Sequence, residues 1–156
     1  MVKQQLADDL GISIDGLQYN AGMFIIQKQF VGAVAATATG DFGTAMTAST
    51  TTYHVLGRMP KAGQLVEGKI RAHAAGVGAT TTLDILKVAS GTAVSSGTAM
   101  VTQVATNGLT ADTDYSLAPK TDGSQNTGAG DLIVAKIVTQ GTETLTPPII
   151  DLKFRL

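Results

Sequence analysis

Hydrophobic and polar residues alternate strictly along residues 63–74, GQLVEGKIRAHA. One side of this alternation carries small or apolar residues, namely Val66, Gly68, Ile70, Ala72 and Ala74. The other side carries polar or charged residues, namely Glu67, Lys69, Arg71 and His73. Because side chains on a strand point alternately to its two faces, the pattern predicts a β-strand with one face in a core and the other in water.

A glycine-containing segment, AGVGA at residues 75–79, follows this strand and is typical of a turn. The chain then becomes extended again from Thr80, with Leu83 and Ile85 placed to pack against Ile70. The sequence therefore predicts a β-hairpin over residues 63–88, and its apolar face needs a second sheet to cover it.

The same two-residue period predicts further strands on both sides of this hairpin. These segments are 24–34, 53–59, 92–105 (extended or broken), 113–117, 131–138 and 150–156. Residues 131–138 are apolar on nearly both faces, which favours a position in the middle of a sheet. About eight strands separated by turns, with no helix after residue 22, predict an all-β, jelly-roll-like antiparallel β-sandwich over residues 23–156.

Residues 1–22 are interpreted as an N-terminal arm that becomes ordered against something else. Val2, Leu6 and Leu10 recur every four residues, which fits about two helical turns, but so short a helix is marginal alone. The first residues, MVKQQLADDLG, lack the apolar core of a secretory signal. Residues 35–52 are mostly small and hydroxylated, so we expect a surface loop or a small-residue contact surface and not a membrane span.

Charged residues make up 15% of the chain, against about 25% in an average soluble domain. A surface so poor in charge suggests that partner proteins cover much of it. The net charge of −1 and the absence of any run of Lys or Arg argue against a nucleic-acid partner. The sequence contains no cysteine, so it forms neither a disulfide framework nor a thiolate metal site.

Candidate catalytic and metal-binding residues are few. His54 and His73 lack the spacing of a zinc motif, and both are predicted to lie on the surface. Asp112 and Asp114 resemble only part of a calcium loop. No serine lies in a GxSxG motif, and aromatic residues that could hold a sugar make up only 4% of the chain. We therefore expect no catalytic, cofactor-binding or metal-binding residues, and no enzyme activity.

Three segments resemble the head decoration (capsid cement) proteins of tailed bacteriophages. Residues 58–68, RMPKAGQLVEG, are similar to the "apkaGtv" opening of that family. Residues 82–94, TLDILKVASGTAV, are similar to its "vDI.k.gtsv" strand, and residues 130–137, GDLIVAKI, to its "aGD.i.v.v" strand. The resemblance extends over about residues 58–156 and is one of pattern.

The resemblance implies a jelly-roll protein that binds the outside of a tailed-phage capsid after expansion and stabilises it by bridging capsomers. It implies the major capsid protein as partner, a trimer of this chain, a location on the capsid exterior after assembly in the host cytoplasm, and neither nucleic acid nor membrane as partner. The alternative is a module of a phage fibre or surface adhesin that binds a receptor or a carbohydrate, although the scarcity of aromatic residues counts against it.

Deletion of residues 1–22 is expected to leave a folded domain but to weaken assembly, because the strand pattern begins only after this segment. Thermal unfolding and binding to expanded heads would measure the two effects separately. Undiminished binding of the truncated protein would show that the arm is irrelevant to assembly.

Overall fold

The computed structural model describes residues 22–29, 34–35, 51–72, 82–106, 109–138, 144–145 and 148–156. These residues form twelve β-strands and one turn of 3₁₀ helix at Val94–Ser96. The strands are β1 Met23–Gln29, β2 Val34–Ala35, β3 Thr51–Arg58, β4 Gly63–Ala72, β5 Thr82–Val88, β6 Thr98–Ala99, β7 Val104–Ala105, β8 Asp114–Ser116, β9 Asn126–Thr127, β10 Leu132–Val138, β11 Thr144–Leu145 and β12 Pro148–Arg155.

Ten of the strands form two antiparallel sheets. The first sheet has the order β1-β12-β4-β8, with β9 also on β4, and the second has the order β3-β10-β5-β6, with β7 also on β5. Since β6 and β7 line one edge of β5, and β8 and β9 line one edge of β4, the ten strands occupy eight positions. The first position pairs with the eighth, the second with the seventh, the third with the sixth and the fourth with the fifth. This nested pairing is the topology of a jelly roll, so the predicted fold class is confirmed.

The hydrophobic core lies between the two sheets. The first sheet contributes inward-pointing side chains that include Ile70, Ile150, Leu152 and Phe154, all fully buried. The second sheet contributes Leu83, Ile85, Ile133 and Ile137, which are also fully buried. Contact between these two inner faces stabilises the sandwich by removing apolar surface from water.

The two central strands were predicted most accurately from the sequence. β10 pairs with β3 on one side and with β5 on the other, as its apolar composition on both faces indicated. β12 pairs with β1 and β4, and its burial alternates from Pro148 to Arg155. The predicted strand 92–105 is broken, since only Thr98–Ala99 and Val104–Ala105 pair with β5.

A β-bulge in β4 corrects the predicted alternation. Lys153 pairs with Glu67 and Phe154 pairs with Leu65, so Val66 has no partner on β12. An extra residue of this kind shifts the side-chain alternation by one position. Leu65 is therefore buried in the core, whereas Val66, predicted to be inside, is 40% exposed.

The predicted hairpin between β4 and β5 is wrong. β4 lies in the first sheet between β12 and the β8 and β9 strands, and β5 lies in the second sheet between β10 and the β6 and β7 strands. Both edges of each strand are already paired, so they do not pair with each other. Their apolar faces meet across the core instead, which preserves the predicted proximity of Leu83 and Ile85 to Ile70.

Several predictions lie outside the described residues. They concern residues 1–21 of the arm, most of the small-residue segment, namely residues 36–50, and the turn at 75–79 with His73 before it. Gly22, the last residue assigned to the arm, is described, and its carbonyl accepts a hydrogen bond from the backbone N–H of Leu156 at 2.7 Å.

Replacement of Ile70 by aspartate is expected to destabilise the protein by more than about 3 kcal/mol, because it places an unpaired charge between the sheets. Val66→Asp is the matched control on the same strand, and it should change stability by less than about 1 kcal/mol. Urea unfolding followed by far-ultraviolet circular dichroism would measure both. Equal losses for the two variants would contradict the bulge and the register of β4.

Candidate interaction surfaces

The outer face of the first sheet carries a ladder of charged residues, which we call the charged face. Outward positions in register across β1, β12 and β4 form successive rows. One row contains Ile25, Lys153 and Glu67, and the next contains Gln27, Asp151 and Lys69. The last row on this face places Arg71 opposite Asp114 of β8.

Glu67 joins two lysines on the charged face. Its Oε1 lies 3.0 Å from Lys69 Nζ, and its Oε2 accepts a hydrogen bond from Lys153 Nζ at 2.8 Å. Hydrogen bonds from Lys153 and Lys69 hold the pKa of the Glu67 carboxyl below its ordinary value. In the neighbouring pair, the hydrogen bond from Arg71 Nε lowers the pKa of Asp114. These side chains are substantially exposed, so each pair contributes little to stability.

A groove of about 200 Å³ lies in the middle of the charged face. Its lining residues come from three adjacent strands and are Ile25, Gln27, Glu67, Lys69, Asp151 and Lys153. Ile25 is 40% exposed, so the groove combines an apolar side chain with charged ones. Asp151 Oδ1 is buried and has no hydrogen-bond partner among the described residues.

The outer face of the second sheet is different, because part of it is apolar. Leu86, Val88 and Val134 point away from the core but are buried. The partly buried side chains packed against them are Tyr53, Val94, Ala99 and Leu132. We call these seven residues the outer apolar cluster. Val55 pairs in register with Val134, so it lies beside the outer apolar cluster, and it is 47% exposed.

The turn Val94–Ser96 closes one side of the outer apolar cluster. Gly97 follows this turn, and a Cβ atom at residue 97 would lie only 2.8 Å from Val88 Cγ2 and 3.0 Å from Leu86 Cβ. Glycine therefore permits the close approach through which Val94 reaches the cluster. Beyond the cluster, the same face becomes polar, with Gln103 Nε2 donating a hydrogen bond at 2.9 Å to the buried Asp84.

His54 was predicted to lie on the surface, and this prediction is wrong. It is 1% exposed because it takes an inward position on β3, opposite Ala135 of β10. The small side chain of Ala135 leaves room for the imidazole ring. His54 Nε2 shares a hydrogen bond with Thr52 Oγ1 at 3.1 Å.

The other candidate site residues that the structure describes are Asp112 and Asp114. Both are exposed, and Asp114 is paired with Arg71. In the part of the chain that the structure describes, no group of three or more His, Asp or Glu side chains could hold a metal ion. No helix among those same residues has the length and apolar character needed to cross a membrane.

Comparisons with known proteins give two structural similarities. A chain in the capsid asymmetric unit of cyanophage Pam1 aligns over 86% of both chains, with 14% sequence identity and a TM-score of 0.43. The structure of infectious bursal disease virus, Gx strain, aligns with 10% identity and a TM-score of 0.29. The latter alignment covers 83% of this chain but 37% of the viral chain. Both scores describe partial similarity, and they assign no function to this chain.

No protein-family model matches the sequence, and a search of curated proteins gives no match.

Replacement of Glu67 by glutamine is expected to lower stability at neutral pH but not in acid. The pKa of Glu67 is lowered in the folded state, so its contribution is present above its unfolded pKa of 4.5 and is lost as the pH falls through its folded pKa. Urea midpoints of the two proteins should therefore differ at about pH 7 and converge as the pH falls through the folded pKa of Glu67.

High salt provides the control for this electrostatic effect. At about 1 M NaCl the difference at neutral pH should shrink, because the pairs are exposed to solvent. A difference that stays constant over the whole pH range would show that Glu67 acts through packing and not through its charge.

Proposed function

We propose that this protein is a structural virion protein that binds the outer surface of a tailed-phage capsid and stabilises the expanded head by bridging capsomers. Its partners are the major capsid protein and further copies of the same chain, arranged as a trimer. It acts on the capsid exterior, assembles in the host cytoplasm and catalyses no reaction.

The observation that carries this proposal is the outer apolar cluster with exposed Val55 beside it. A β-sandwich that functions alone buries its apolar residues between its sheets and presents polar residues outside. Here the apolar residues continue through the second sheet to its outer face. Exposed apolar surface next to a well-packed cluster is typical of a protein-contact site.

The sequence resemblance supports the same proposal, because its three segments coincide with the main strands β4, β5 and β10 of the sandwich. Residues 58–68 run from the end of β3 into β4, residues 82–94 form β5 and the following turn, and residues 130–137 form most of β10. The 15% content of charged residues also suits a protein whose surface is covered after assembly. Contacts repeated around a shell provide avidity without a tight single interface.

A receptor- or carbohydrate-binding role receives less support from the described residues. Sugar sites usually present aromatic rings to the ligand. Tyr115 packs against the core, and its hydroxyl donates a hydrogen bond to Thr110 Oγ1 at 2.9 Å. Tyr53 packs against the outer apolar cluster. A glycan array would test this second role directly.

Replacement of Val55 by aspartate is expected to weaken binding to expanded heads by tenfold or more, because it places a charge in the proposed contact. The variant should unfold close to the wild type, since Val55 is already 47% exposed. Co-sedimentation of the protein with expanded and unexpanded empty heads would measure occupancy, and sedimentation equilibrium would measure the trimer.

Thr121→Asp is the matched control, because Thr121 is exposed in the polar loop formed by residues 121–130 and is not a member of the outer apolar cluster. It should bind expanded heads as the wild type does. Absence of saturable binding by the wild type, or equal binding by the Val55 and Thr121 variants, would overturn the proposal.

A further inference from the structure

Among the residues that the structure describes, no lysine or arginine forms a hydrogen bond with one carboxylate of the groove on the charged face, that of Asp151. Lys69 and Lys153 both form ion pairs with Glu67, each with a different oxygen of its carboxylate. Arg71, the next cation along the face, donates to Asp114. The pKa values of Lys69 and Arg71 are raised mainly by their hydrogen bonds with Glu67 and Asp114. The charge of Asp151 makes the smallest contribution to both.

The strand register explains why the groove opens beside Asp151. Asp151 lies between Gln27 of β1 and Lys69 of β4. Lys153, two residues along β12, reaches across to Glu67 on its β4 side, and Lys69 reaches along its own strand to the same carboxylate. Both ammonium groups are therefore paired with Glu67. On the β1 side of Asp151, the residues that line the groove are Gln27 and Ile25.

The residues on the β1 side of Asp151 favour a ligand that carries a positive charge at the end of an apolar stem. Asp151 lines the groove, and no lysine or arginine among the described residues donates a hydrogen bond to its carboxylate. The exposed side chain of Ile25 offers an apolar surface beside it. Lysine and arginine side chains have both parts, because their methylene stems pack on apolar surface while their charged ends donate hydrogen bonds.

We propose that this groove binds a lysine or arginine side chain presented by a partner protein, with Asp151 accepting its hydrogen bond and Ile25 contacting its stem. The identity of that partner as the capsid rests on the proposed function, whereas the groove itself does not. The protein then has two contact surfaces on opposite faces of the sandwich, one apolar and one selective for a basic side chain. Such an arrangement suits a protein that bridges two neighbours.

Titration of the full-length protein with small probes tests the groove without any capsid. The probes are the N-acetyl N-methylamides of arginine and lysine, and the uncharged control is the same derivative of norleucine. Two-dimensional NMR of the ¹⁵N-labelled protein should show saturable shifts at Ile25, Gln27 and Asp151 with the two cations only. Asp151→Asn should weaken this binding by about tenfold.

Asp122→Asn is the control for the lost charge, because Asp122 lies in the polar loop, where it accepts a hydrogen bond from the backbone N–H of Ser124. It should bind the cations as the wild type does. Equal shifts with norleucine, equal weakening by the Asp151 and Asp122 variants, or no saturable shift would overturn the proposal.

Binding to expanded heads distinguishes failure of the groove from failure of the proposed function. If heads bind the wild type and Asp151→Asn equally, the groove is not a capsid contact and the proposal fails, while the proposed function stands. If the probes bind but heads do not, the groove stands and the capsid is not its partner. Self-association lost only in Asp151→Asn would identify a second copy as the partner and overturn the capsid contact.

Discussion

The structure depends on the pairing of two late strands, β10 and β12, with partners from much earlier in the chain. β12 lies between β1 and β4, and β10 lies between β3 and β5, so each sheet is assembled around a strand from the last quarter of the sequence. The remaining pairings of the two sheets add β8 and β9 to the free edge of β4, and β6 and β7 to the free edge of β5. Because the pairs made by β10 and β12 join residues far apart in sequence, loop-closure entropy opposes them until both partners can bury their apolar faces together. The fully buried Ile133, Ile137, Ile150 and Leu152 provide that burial.

The same alternation that builds the core also produces two unlike outer faces. On the first sheet, the outward positions of β12 and β4 carry charged residues, and Glu67 fixes two lysines there. On the second sheet, the outward positions of β10 and β5 include Val134 and Leu86, which form an apolar cluster outside the core. Apolar contacts add association energy without a strict direction, whereas charged contacts determine orientation and partner choice. A sandwich with one face of each kind is suited to contact two different surfaces at once.

The sequence allowed the all-β class, the central position of β10 and the inward face of β12 to be predicted, because each depends only on local periodicity. It did not allow the partner of β4 to be predicted. A glycine-containing connection does not distinguish a hairpin from a crossover between sheets, and only the pairing of both edges of β4 decides this. Val66 was misplaced because the bulge in β4 turns it outward, and two consecutive apolar residues, Leu65 and Val66, do not themselves show which of them lies in the core. His54 was misplaced because the alternation around it does not reveal that the small Ala135 lies opposite its inward position and that Thr52 shares a hydrogen bond with its ring. The groove beside Asp151 depends on the pairing of Lys69 and Lys153 with Glu67. The periodicity of the sequence does not specify which side chains form such pairs.

We propose that this sandwich presents its outer surfaces for coverage by other proteins of a virion. A cryo-electron microscopy reconstruction of expanded heads incubated with the protein tests this claim most directly. We expect sandwich-sized density on the outside of the shell, with the outer apolar cluster and Val55 against a neighbouring protein. Heads without added density, or with density in which both outer faces are directed to solvent, would contradict it.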